Sequence, residues 1–339
     1  MAAAATRRPV AQSRSPASKR ARIWSAALLA LALLCATRTS ARAGPWLPEP
    51  GRVYIELREL FSTTAQGFAA DGHRRSLHTL TDDGASVATR FYEARSRVYA
   101  EIGLATRLAL VADLVLLDMI SMPREGGRAR AATGVGDLDA GVRLQLFDEE
   151  VACALQVTLG IPTGHADEAQ PLGTGDLRGQ LVLSFGKIWE RTPIFFTAEL
   201  GARIRSSGTQ RSLAAGLPPT DPLSAPDTTR STINYASELL YGLELGYLWR
   251  VSERVRITPR LTLDGRHGLT APVVLAIDPV APTSVRLLRL GASIGVGREL
   301  RSRGKAVARL ELHVGGGAFV WGQGLPAAGE VTVAVGLSR

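Results

Sequence analysis

Between Gly134 and Ile161 the chain reads GVGDLDAGVRLQLFDEEVACALQVTLGI, and apolar and polar positions alternate along it. Leu138, Ala140, Val142, Leu144 and Leu146 fall on one side, with Asp137, Asp139, Gly141, Arg143 and Gln145 on the other. After Asp148-Glu149-Glu150, Val151, Cys153, Leu155, Val157, Leu159 and Ile161 oppose Ala152, Ala154, Gln156, Thr158 and Gly160. A period of two over roughly ten residues predicts a strand on each arm, and the acidic gap predicts a tight hairpin. One face is wholly apolar, while the other carries ionised groups that a dry core would not accept unpaired. Lipid outside, with water or a polar plug inside, satisfies both faces.

The alternation recurs along the chain. A Pro-rich lead-in over 45–50 precedes Val53, Ile55 and Leu57, which oppose Tyr54, Glu56 and Arg58. Further strands are predicted over 92–102, 108–116, 177–185, 196–204, 239–249, 255–263, 288–296, 308–314 and 331–337. The total is about 12, an even number as in bacterial single-chain barrels. Long polar connections (61–87, 119–133, 162–174, 206–231, 265–285, 315–330) alternate with short ones (104–107, 148–150, 188–193, 250–253, 299–305). Short periplasmic turns and long outer loops are the asymmetry of outer-membrane barrels, and a soluble β-sandwich has no reason for it. Phe147, Phe185, Trp189, Phe196, Tyr247 and Trp249 sit beside short turns, where one interfacial girdle belongs. The expected fold is therefore all-β: a transmembrane up-and-down antiparallel β-barrel over 51–339, in the bacterial outer membrane.

Charge changes this picture only at the N-terminus. The chain of 339 residues carries a net charge of +9, yet residues 1–43 hold eight Lys or Arg and no Asp or Glu. Removing those eight from 40 basic residues leaves 32 against 31 acidic ones, so a nucleic-acid partner is not expected. The basic stretch leads into an apolar run, Ile23 to Ala36, and then Ala41-Arg42-Ala43, the form of a cleaved secretory signal ending at 43. Its unusual length suggests a true start downstream of Met1. Leu34 before Cys35 argues against lipidation, because a small residue is expected there. Without Cys35 the only thiol is Cys153, on an apolar face, where it reads as a small hydrophobe. Outer-membrane lipid and the barrel-assembly machinery are the implied partners.

Candidate chemistry is sparse. A barrel lipase needs a Ser–His pair near the rim, and none stands out; His73, His78, His165 and His267 fall in predicted loops, and His313 faces inward. No H-E-x-x-H metal motif occurs, and no cofactor is implied. The inward face is the remaining candidate: Asp139, Arg143, Asp176, Arg178, Glu199, Arg203, Glu244, Arg260, Asp264, Arg309 and Glu311 line it, among others. Two readings stay open for that wall. The charges form ion pairs that fill a narrow barrel, or they form a mixed-charge channel that orients a small solute.

Two segments, GVGDLDAGVRLQLFDEEVACALQVTLGIPTG and PLGTGDLRGQLVLSFGK, resemble the outer-membrane "meta-pathway of phenol degradation" transporter family. They carry its G-x-G-D-L opening strand, a strand ending in PTG and an LGTG-D strand, and the likeness extends over most of residues 85–339. The resemblance implies a 12-stranded barrel and uptake of hydrophobic or aromatic solutes. The chain departs from it by ending Gly336-Leu337-Ser338-Arg339, without the terminal aromatic usual in barrel assembly signals.

Overall fold

The computed structural model describes residues 45–69, 71–80, 86–88, 90–122, 130–164, 176–189, 191–211, 230–269, 286–302, 305–323 and 325–339. The expected leader, 1–43, lies outside them. No described helix is long and apolar enough to cross a membrane. The chain crosses with strands instead: β1 (Val53–Thr64), β2 (Phe91–Ala105), β3 (Leu108–Met122), β4 (Leu138–Asp148), β5 (Ala152–Ile161) and β6 (Arg178–Ile188). They continue as β7 (Ile194–Arg205), β8 (Glu238–Tyr247), β9 (Val255–Gly268), β10 (Arg286–Ser302), β11 (Lys305–Gln323) and β12 (Gly329–Ser338).

Each strand pairs antiparallel with its sequence neighbour, and β1 pairs with β12 from Tyr54↔Ser338 to Thr63↔Gly329. The Val53 N–H donates to the Arg339 carbonyl and the Arg339 N–H returns to Val53, at 2.9 and 2.8 Å. Twelve strands thus close on themselves, with no free edge in lipid. The start of β1, the end of β12 and the short turns share one end, the turn end; the long connections join strands at the other, the loop end.

Burial is inverted relative to a water-soluble protein. Large apolar groups are exposed on the outside, such as Leu200 at 54% and Leu261 at 58%, while Glu101, Asp176 and Glu238 are buried within. Phe147, Trp189, Tyr247 and Trp249 are exposed beside the short turns, as a girdle requires. Cys153 is buried on the outer face, between its cross-strand partners Phe147 and Phe185.

Several predicted connections are shorter than expected. β3 runs to Met122, past a register shift, and Arg130–Gly134 pairs back onto it. Ser207–Arg211 pairs with Arg230–Asn234 inside the predicted 206–231 loop. Gly315 to Gly317, expected as loop, lie within β11. β9 continues through Gly265 to Gly268; Gly265 faces outward, and the Tyr241 ring lies where its side chain would be, with Cζ overlapping an added Cβ.

An outward carboxylate breaks the apolar rule. Glu59 lies between Leu57 and Phe61 along β1, and beside Val333 and Ser96 on the neighbouring strands. The Ser96 hydroxyl donates to its carboxylate at 2.6 Å. A carboxylate facing lipid is costly, so Glu59→Leu is expected to stabilise the barrel by about 1 kcal/mol in bilayers. Urea unfolding in phosphatidylcholine vesicles measures it; an unchanged or lower midpoint contradicts the lipid-facing assignment.

Candidate functional site

The period of two that sends leucines and valines to lipid sends the charged side chains into the lumen. On β1 the Tyr54 hydroxyl donates to Glu56 at 2.6 Å, and Arg58 Nε donates to the same carboxylate at 2.9 Å. Tyr99 donates to Glu101 at 3.2 Å, and its ring meets Tyr54 edge-on at 6.1 Å. Arg143 donates to Gln156 through Nε at 2.9 Å and pairs with Glu101 at 3.3 Å. Arg97 donates to Asp113 at 3.1 Å. Glu199 accepts from Ser184 at 3.2 Å and is exposed to the lumen.

Toward the loop end, Arg178 bridges Asp139 at 2.9 Å and Asp137 at 3.0 Å. Arg203 reaches Glu238 at 3.0 Å and Gln180 at 3.1 Å. Arg205 holds Asp176 at 2.8 Å and stacks on the Tyr235 ring, 3.9 Å from its centroid. Arg289 joins Asp264 at 3.0 Å and also binds Glu330. Toward the turn end, Arg309 lies 3.4 Å from Glu299, and His313 Nε2 lies 3.3 Å from Glu311. Glu244 and Arg260 stand 3.6 Å apart, and Glu244 Oε1 and Arg260 Nε are buried without a hydrogen-bond partner.

The predicted wall residues therefore form paired groups spread over the inner face. Glu56, Arg58, Tyr99 and Glu101 belong to the same wall, and their strands' alternation already pointed to them. Other residues carried no such signal. The lead-in 45–50 folds into the turn end: Pro45 and Pro48 are buried, and Trp46 is half-buried. An added Cβ on inward-facing Gly186 of β6 would lie 2.7 Å from Pro45 and 2.8 Å from Trp46. Gly103 of β2 is likewise covered by the carbonyls of Pro48 and Glu49. Trp46 also lines a cavity with Phe195, Leu248, Arg260, Arg309 and Glu311, so the lead-in forms a strap that packs on β2 and β6 and shares a cavity with β7, β9 and β11. That cavity holds about 40 Å³, room for a few waters and not for an aromatic ring.

His267 lies in β9 and not in a loop, on the outer face by register. The sequence also contains one G-x-S-x-G spacing, Gly291 to Gly295. It runs through the middle of β10 in regular pairing, so the sharp strand-to-helix turn that exposes a nucleophile is absent there. No hydrogen bond joins Ser293 to His313 among the described residues. No group of three or more His, Cys, Asp or Glu among the described residues is placed to hold a metal ion.

No protein-family model matches the chain, and no curated protein does. Among solved structures it is similar to an outer-membrane channel from Pseudomonas putida F1, at TM-score 0.55 and 16% identity, over 89% of this chain and 100% of that one. It is also similar to the translocator domain of the autotransporter NalP from Neisseria meningitidis, at 0.49 and 11%, over 97% and 99%. The P. putida toluene transporter TodX matches at 0.39 and 10%, over 87% and 91%. The first similarity places the fold among bacterial outer-membrane barrels; the other two, below 0.5, add nothing to it.

The Arg143–Glu101 pair makes a direct test of the wall. Both side chains are largely buried, at 12% and 5% exposure. Removing one partner of such a pair strands the other charge, so Arg143→Leu is expected to cost about 3–5 kcal/mol. Adding Glu101→Gln should restore much of that loss. Urea midpoints of the two single variants and the double variant measure the coupling, and additive losses contradict it.

Proposed function

We propose that the barrel is an outer-membrane channel for passive, gradient-driven movement of small hydrophobic or aromatic solutes, grouped with the phenol-degradation transporter family. The observation that carries this is that inward-facing charged side chains remain exposed within the lumen. Arg58 and Asp264 point inward, yet their side chains are 48% and 43% exposed. A barrel filled by its own side chains would leave such groups covered. The resemblance of the β4–β5 and β6 segments to that family, and the likeness to a P. putida channel, support the same reading.

The strap favours a second reading, a structural barrel without conductance, because Trp46 lies where a solute leaves the lumen. In the channel reading, the strap must move aside for passage. Liposome swelling with arabinose as the permeant distinguishes the two. The wild-type barrel should swell vesicles measurably, and Trp46→Ala or Gly186→Leu, which removes or displaces the strap, should raise the rate several-fold. Vesicles that stay impermeable with all three proteins would sink the channel reading and leave the structural one.

A further inference from the structure

Arg266 is a lumen position whose surroundings ask for something the described residues do not supply. It lies on β9 and faces inward, two residues beyond Asp264 on the same face. Its side chain is exposed to the lumen and makes no hydrogen bond or ion pair with any described residue. Its cross-strand partners explain why: Leu240 on β8 and Leu287 on β10 stand beside it, both inward-facing. Leu287 is 6% exposed. The wall gives Arg143, Arg178, Arg203 and Arg289 an acid each, and gives this one two leucines.

The nearby charges deepen the deficit. Arg95, Arg97 and Arg203 lie within electrostatic range of Arg266, together with Glu238 and Asp264. Both acids are already engaged, Glu238 by Arg203 at 3.0 Å and Arg205 at 3.7 Å, and Asp264 by Arg289 at 3.0 Å. Arg95 and Arg97 are held by Glu93 and Asp113. A guanidinium with spare donors, enclosed by low-dielectric walls and flanked by apolar side chains, attracts an anion with an apolar body.

We propose that Arg266, with Leu240 and Leu287, forms a binding site in the loop-end half of the lumen for a small organic carboxylate. The guanidinium fork takes the carboxylate, and the leucines take the ring or chain behind it. The proposal rests on the channel reading and narrows it, from hydrophobic or aromatic solutes in general to those carrying an acid group.

Titration calorimetry on the full barrel in detergent at low salt tests the site independently of conduction. Benzoate should bind the wild-type protein, and benzyl alcohol, the same ring without the charge, should bind far more weakly. Arg266→Gln should weaken benzoate binding by about tenfold or more, and Arg266→Lys should fall between. The Gln variant removes an unpaired charge, so it should fold at least as well as wild type, read as heat-modifiable migration on a gel. Benzoate that does not bind, that binds Arg266→Gln equally, or that is matched by benzyl alcohol would overturn the site. Arg266-dependent binding in a barrel that fails to swell vesicles would preserve the site and reject the channel. Swelling without such binding would do the reverse.

Discussion

The structure depends on the seam where β1 meets β12. In hydrocarbon an unpaired backbone N–H or carbonyl costs several kcal/mol, and an open sheet would present a whole row of them. Ten consecutive pairs from Tyr54↔Ser338 to Thr63↔Gly329 remove that row. Closure forces every strand to show one face to lipid and one to the lumen. A period of two then becomes a sorting rule, and each side chain's chemistry is decided by its parity in the strand.

The rule explains both what was legible in the sequence and what was not. The β4–β5 hairpin could be read directly, because both arms alternate along their length and the pairing slips only once, beside Cys153. Most of the charged wall, from Asp139 and Arg143 to Arg309 and Glu311, followed from the same parity. Reading failed where parity has no visible marker. Gly315 to Gly317 carry no side chains, so a strand there shows no faces and resembles a loop. Gly265 faces outward under the Tyr241 ring, and reading it as the start of a long loop hid Arg266 just beyond it. Glu59 breaks the apolar face of β1, so the strand seemed to end near Arg58.

The strap was illegible for a different reason. Pro45 to Pro50 has no alternation, and its position depends on Gly186 and Gly103 leaving space on strands far away in sequence. The pairing of lumen charges was equally hidden: parity places Arg203 and Glu238 inside, but only the register between β7 and β8 makes them partners. The lumen that results is lined by paired charges, with Arg266 unpaired among the described residues, and its turn end is bordered by a segment that is not part of the barrel wall.

The sorting rule is tested most directly along β9, where sequence and structure disagree. Single spin-labelled cysteines from 255 to 268, in a Cys153→Ser background in bilayers, can be probed with lipid-soluble oxygen and a water-soluble nickel chelate. The account predicts an unbroken period of two through Gly265, with 264, 266 and 268 reached by nickel and 263, 265 and 267 by oxygen. Loss of alternation after 264, with every later site reached by nickel, would return 265–268 to a loop and contradict the inward placement of Arg266.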